Sequence, residues 1–345
     1  MKKIILILAL FLSVFPSIIS AQNVVPRYEA EVEQIISGSV TLRILEGPYK
    51  DQKMESQFYD PKQNFKEGEQ VIVSIAQNPN TGDLGIMIED RVRRFPLQVL
   101  FAIFILVVIT VGRLKGILSF VGMIFSFVII GKFIVPQIII GNDPLLISLF
   151  GALFIIPVTF YIGHGLKWQT TISVLSTFIA LFITGVLAYI FVTFTKLTGF
   201  SAEEAVFIQA LPGQQINIQS LLLAGIIIGA MGVLDDITIA QTSIVDKLIK
   251  ANPKYTFKQV FSEAMDVGRD HISSLVNTLI LVYAGASLPL FVLFYNAQLG
   301  SYSDVMNMEV IATEIVRTLV SSIGIISAVP ITTLLASWYI KKQYN

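Results

Sequence analysis

Apolar residues run almost unbroken through seven stretches of the chain, near 95–112, 116–136, 144–162, 170–195, 218–234, 272–295 and 313–340. An α-helix needs about 20 predominantly apolar residues to cross the hydrocarbon core of a bilayer. Most of these stretches reach that length. Irregular backbone cannot face lipid with its N–H and C=O groups unpaired, so each stretch is read as a helix. The expected fold is an all-α polytopic membrane bundle of about seven transmembrane helices.

Residues 22–94 follow a different period. Tyr28 to Glu33 and Ser39 to Ile44 alternate apolar with polar positions, the two-residue rhythm of half-buried strands. Gly47-Pro48 reads as a turn, Val71 to Ile75 as a strand, 78–83 as a turn cluster and Leu84 to Ile88 as a further strand. Four or five short strands in so small a segment predict a β-rich domain, a small barrel of the OB-like kind. The first residues read as an export signal: Lys2 and Lys3, then apolar Ile4 to Leu12, then Ser20-Ala21. Ile19 is larger than the residue usual at its position, so an uncleaved anchor is the alternative to cleavage after Ala21. The expected organisation is therefore 1–21 signal, 22–94 extracytoplasmic domain and 95–345 membrane domain, with a cytoplasmic segment at 235–271.

Composition agrees with this division. The chain is 54% hydrophobic and 14% charged, against roughly 25% charged for soluble domains. Lipid is thus an expected partner, and a net charge of zero gives no sign of nucleic acid. Charge placement sets the expected orientation. With the N-terminal domain outside, the inner connections hold Arg113, Lys115, Lys167, Lys247, Lys250, Lys254, Lys258, Arg269, Lys341 and Lys342, and the later outer loops hold only Lys196. That is a strong positive-inside bias and places the C-terminus in the cytoplasm. Arg91, Arg93 and Arg94 fall on the outer side and read as part of the small domain or as headgroup contacts. In the outer loop, Ser201 reads as the cap of a short helix carrying Glu203 and Glu204 in its first turn.

The densest polar constellation brackets the inner segment. Gly225 and Gly229 form a small-xxx-small pattern suited to close helix packing. Asp235 and Asp236 follow, at what reads as the inner end of the fifth helix, where acids oppose the helix dipole. Asn252-Pro253 breaks the inner segment, and Thr256 begins its second part. Before the sixth helix stand Asp266, Arg269, Asp270 and His271, with Asp266 and Asp270 on one helical face. If these helices are neighbours, the two acid pairs, the arginine and the histidine converge. Two readings are open: a cation or proton site at Asp235, Asp236, Asp266, Asp270 and His271, or an Arg269–Asp latch joining two helices. Glu314 and Arg317 are spaced to pair in the seventh helix, and His164, between two glycines, reads as an interface residue. Pro157, Pro289 and Pro330 are expected to kink the third, sixth and seventh helices.

Among recurrent catalytic signatures, the chain has no Gly-x-Ser-x-Gly, no His-Glu-x-x-His, no phosphate loop and no dinucleotide fingerprint. It has no cysteine, which removes disulfides and thiolate ligands. No catalytic residue and no cofactor is expected, and the metal status and oligomeric state stay open.

Two stretches resemble the YibE/F-like family of bacterial multi-pass membrane proteins: Gly229 through Ser243, and Met265 through Leu279 continuing over Tyr283 to Pro289. The resemblance implies a polytopic membrane protein over about 95–340 and supplies no biochemical activity. A fainter likeness, of helices three to seven with their acidic inner motif, is to the last five helices of RND or SecD/SecF-type units, which couple proton movement to export. The departure is the lack of a large work-transmitting domain. The expected function is transport-related, as a permease or ion-coupled export component. The alternative is a non-transporting scaffold whose outer β domain docks a protein partner, and a membrane-embedded enzyme ranks below both.

Overall fold

A computed structural model describes residues 26–36, 39–56, 64–77, 84–211, 213, 215–296 and 302–344. The signal segment and the 78–83 turn lie outside the described residues. The chain divides into two compact units at Arg113–Leu114.

The first unit contains five strands: β1 (Arg27–Ile36), β2 (Ser39–Ile44), β3 (Lys53–Ser56), β4 (Gln70–Gln77) and β5 (Leu84–Arg91). They form one sheet in the order β3-β2-β1-β4-β5, with every pair antiparallel. The alternation seen in the sequence is the cause of its core. Ala30, Val32, Val40, Leu42, Val71 and Val73 all point inward and are fully buried. The sheet curls, and Cα atoms of the edge strands β3 and β5 come within 8 Å of each other. At the turn, Gly47 has φ 83°, and a Cβ there would sit 2.4 Å from the Tyr28 ring, so only glycine fits. Arg91 pairs with Glu69 at 3.0 Å, Arg93 with Asp90 at 2.6 Å, and Arg94 with Glu29. All three arginines are thus engaged by the small domain. Leu42→Ala is expected to cost about 2–5 kcal/mol, since the closed core cannot refill the space. Limited proteolysis of the full-length variant, read at the β-domain, checks it.

Helix α1 (Arg94–Ile129) follows, interrupted at Arg113, whose φ of 51° and ψ of −136° are not helical. It continues through a π-type turn, Ile130–Ile134, into α2 (Val135–Ile139). Two separate helices are expected here, but nothing between 112 and 116 except the Arg113 distortion stops the helical run. The second unit then holds α3 (Pro144–His164), α4 (Trp168–Phe194), α5 (Glu203–Ala210), α6 (Ile218–Ala251), α7 (Phe257–Ala286), α8 (Leu288–Asn296), α9 (Tyr302–Met306) and α10 (Glu309–Tyr344). Among the described residues, five helical runs are long and apolar enough to cross a membrane, or six if the bent α7–α8 pair is one span. The protein is therefore membrane-embedded.

Helices α4, α6 and α10 pack on one another, α3 lies against α6 and α4, and α7 lies against α10 and α6. Apolar packing alone gives little preference for one helix partner over lipid, so hydroxyls and small residues set the contacts. Ser173 on α4 donates to the Thr238 carbonyl at 3.0 Å and meets the Thr242 hydroxyl at 2.9 Å, and Thr177 meets Thr238 at 3.1 Å. Gln241 on α6 donates to the Ala264 carbonyl on α7 at 2.8 Å and to Thr333 on α10 at 2.7 Å. The expected small-xxx-small contact does not form among the described residues: none brings an atom within 4 Å of a Cβ built at Gly225 or Gly229. Close approach occurs instead at Gly268, against Val329 and Gln241, and at Gly324, against Thr184.

Local endings also differ from the sequence reading. Ala202, not Ser201, precedes α5, and no side chain caps it. Pro157 and Pro330 lie inside α3 and α10, whereas Pro289 is the second residue of α8, past a 64° bend. Proline is well tolerated there because a first-turn N–H has no helical acceptor to lose.

Candidate functional site

The position of Asp235 follows from where α6 stops. Asn217 caps its start by accepting from the Ser220 N–H at 3.0 Å. No glycine or proline interrupts 236–251, and the first breaker is Asn252-Pro253. The helix consequently runs on to Ala251, and Asp235 and Asp236 sit in its middle rather than at its C-terminus. The expected conflict with the helix dipole does not arise. A different conflict replaces it, because a carboxylate now sits within an apolar helix of spanning length.

Helix α3 brings the second group. It starts at the Asp143 cap and ends at His164 because Gly165 takes φ 79°, a left-handed conformation natural to glycine at a helix end. His164 Nε2 lies 4.0 Å from Asp235 Oδ1, within reach of an ion pair and beyond a hydrogen bond. Asp235 Oδ1 is buried and has no hydrogen-bond partner. Both residues line a cavity of about 340 Å³ between the Ser119–Ile130 part of α1, α3 and α6. Its other polar lining comes from the hydroxyls of Ser119, Ser126 and Thr159. The last two of these hydroxyls bond their own helices' carbonyls, at 3.1 Å for Ser126 to Gly122 and 2.8 Å for Thr159 to Ile155. The rest is largely apolar, so the carboxylate and the imidazole are the ionisable groups on an otherwise greasy wall.

Of the remaining sequence candidates, Asp236 alone stands near enough to act on this pair through its charge. Asp236 is exposed, and so are Asp266, Arg269 and Asp270, while His271 is half-buried. Helices α6 and α7 are neighbours as expected, but α7 turns Ala264 and Gly268 toward α6 and α10, which sends Asp266 and Asp270 outward. The convergence read from spacing therefore fails through helical phase. The latch reading fails for a related reason: Arg269 pairs with Asp266 one turn back on its own helix, and among the described residues it joins no second helix. Glu314 and Arg317 do pair, at 3.0 Å on α10. Among the described residues, no three of His, Asp and Glu gather closely enough to hold a metal ion. His164, read from sequence as an interface residue, is the partner that sequence reasoning missed. Its only signal was the Gly-His-Gly context at the end of an apolar run.

A bundle of membrane-length helices with an ionisable pair on a cavity wall defines a polytopic membrane protein. The family model of the YibE/F-like proteins matches residues 100–342, and the chain belongs to that family. Comparison with curated proteins and with solved structures found no match.

Proposed function

We propose that the chain is a transport-related membrane protein, a permease or an ion-coupled export component, in which Asp235 binds the coupling proton or cation and His164 faces it across the cavity. Support comes from one observation above others: a carboxylate oxygen held inside a spanning helix, without a donor, on the wall of a cavity. Ionisable side chains within spanning helices are costly to insert and commonly mark ion or substrate pathways. Asp236, Asp266, Asp270 and His271 are then solvated neighbours rather than ligands.

Seven crossings fit this reading. As a straight helix, the 46-residue run Arg94–Ile139 would measure about 69 Å, more than twice the hydrocarbon thickness. Divided at Arg113, and with the α7–α8 pair as one broken span, it gives seven. The lysine bias then puts the β domain outside, behind a cleaved signal or an anchor, and the C-terminus in the cytoplasm. The strand order, with the edge strands β3 and β5 approaching each other, supports an OB-like barrel.

Proteoliposomes under a valinomycin-imposed potential test the reading, with proton entry followed by internal pyranine and cation entry by radioactive sodium. Full-length protein is expected to raise one of the two rates above that of protein-free vesicles. Asp235→Asn is expected to cut the gain by about tenfold or more, the weight of one lost charge-assisted contact. Asp270→Asn should leave it unchanged. A wild-type rate from the Asp235 variant overturns the assignment.

The scaffold reading rests on the β domain, where Glu89, Asp90, Arg91, Arg93 and Phe65 line a 220 Å³ pocket. Deleting 22–90 separates the two readings. A scaffold loses its outer partner, whereas a permease core keeps flux.

A further inference from the structure

A second cavity, of about 370 Å³, adjoins the first and shares Gly163 and His164 with it. Its chemistry is different. Lys115, at the start of the second unit, Lys167, before α4, and Lys247 and Lys250, on the last turns of α6, all line it. Four ammonium groups face one carboxylate, Asp246, whose Oδ2 accepts from Lys250 Nζ at 2.7 Å. That leaves an excess of positive charge converging from three different segments of the chain. A solvated helix face places its charges apart on one element. Here they surround a hollow instead.

The backbone adds to the same field. No side chain caps α4, so the N–H groups of its first turn lack helical acceptors and carry the positive end of a 27-residue helix. Gln169 and Thr170, both in that first turn, line the cavity. Backbone N–H groups at a helix N-terminus and lysines used as point charges are two standard ways of holding a phosphoryl group.

The cavity also lies where two helices of membrane-spanning length meet end to end. The membrane-length apolar helix α3 ends at His164, and the next, α4, begins at Trp168. Trp168 stacks on Tyr339 of α10 with ring centroids 5.6 Å apart, the kind of aromatic pair that marks the headgroup level. Basic hollows between spanning helices at that depth suit anionic headgroups.

We propose that this cavity is an anion site for a phosphoryl group, taken either from an anionic phospholipid headgroup or from a free phosphate compound. Lys115, Lys167 and Lys247 supply the charge, Lys250 is held in place by Asp246, and the first turn of α4 supplies N–H donors. The site stands apart from the ion-binding role of Asp235. Flux can be lost while anion binding persists, and the reverse.

Thermal unfolding of the full-length protein in neutral detergent separates the sources. One arm titrates inorganic phosphate against chloride at equal ionic strength. The other titrates phosphatidylglycerol against phosphatidylcholine in mixed micelles. Ligand that binds only the folded state raises the midpoint in proportion to its occupancy. A rise in the phosphate arm assigns a free phosphate compound, a rise confined to the lipid arm assigns a headgroup, and a rise in both assigns the phosphoryl group itself. The paired variant Lys167→Gln/Lys247→Gln is expected to weaken apparent affinity by about tenfold or more, because each lost ammonium removes a charge-assisted contact. These lysines are exposed, so folding should survive the change. Lys254→Gln/Lys258→Gln, which removes equal charge outside the cavity, should leave affinity within about twofold. No rise in either arm, or a cavity variant that binds no more weakly than the control variant, overturns the proposal.

Discussion

Gly324→Val is expected to leave most of the full-length protein unfolded or aggregated when it is extracted into neutral detergent. A Cβ built at Gly324 would lie 1.8 Å from Thr184 Oγ1, 2.9 Å from Thr184 Cβ and 3.3 Å from Cγ2. The first two lie inside any ordinary Cβ contact, and valine adds two methyl groups beyond the Cβ. The position lies where α10 crosses α4, one of the closest helix pairs in the second unit. Overpacking a tight core costs about 1–3 kcal/mol and sometimes more. Here the helices must separate and take with them the neighbouring contacts of α6. Gly324→Ala is the milder case. It should be partly rescued by Thr184→Ala, which removes Oγ1 and Cγ2, leaves Cβ in place and forfeits only the hydroxyl bond to the Ala180 carbonyl at 2.8 Å. Fluorescence-detected size exclusion and thermal midpoints read the effect. Additive losses in the double variant would show that Gly324 and Thr184 do not touch.

That contact shows which part of this molecule is written openly in its sequence. Long apolar runs and the alternation of 28–33, 39–44 and 71–75, with the short run 84–88, are local signals: they locate four sheet strands and the apolar helical runs, although the seven stretches appear as five membrane-length runs, or six with the bent pair, among the described residues. Strand β3 is missed because Lys53–Ser56 carries too little apolar contrast for its period to be visible. The pairing of glycines is not local. Gly225 and Gly229 carry the recognisable spacing yet meet nothing among the described residues, whereas Gly268 and Gly324 press against Val329 and Gln241 and against Thr184.

The candidate site divides in the same way. Asp235 stands out in any hydropathy profile as a charge at the edge of an apolar run. Its depth in the helix depends on where the next breaker falls, and that breaker is Asn252-Pro253, far beyond it. Its partner is remote in sequence, so spacing favoured Asp266, Asp270 and His271 instead. Asp266 and Asp270 share a helical face, but that face is turned outward by Ala264 and Gly268, whose small size lets α7 press against α6 and α10. Small buried residues therefore decide which charged residues can meet.

Asp235→Leu is expected to raise the thermal midpoint of the full-length protein while abolishing the flux proposed above. The carboxylate has a buried oxygen with no donor, and a buried polar group left unsatisfied costs about 1–3 kcal/mol. Leucine has similar bulk and suits a wall built from Ile228, Met231, Ile155 and Phe160. Removing the carboxylate should therefore relieve a cost, and the expected gain is about 1–2 kcal/mol. Gln241→Leu on the same helix supplies the contrast. It strips donors from the Ala264 carbonyl and from Thr333, and is expected to lower the midpoint by the equivalent of about 1–3 kcal/mol. A residue that holds the bundle together behaves like Gln241. A residue kept for binding an ion behaves in the opposite sense, because the free protein holds it at a cost that the bound ion offsets. If Asp235→Leu lowers the midpoint as far as Gln241→Leu does, Asp235 is a structural residue and the ion-binding assignment fails with it.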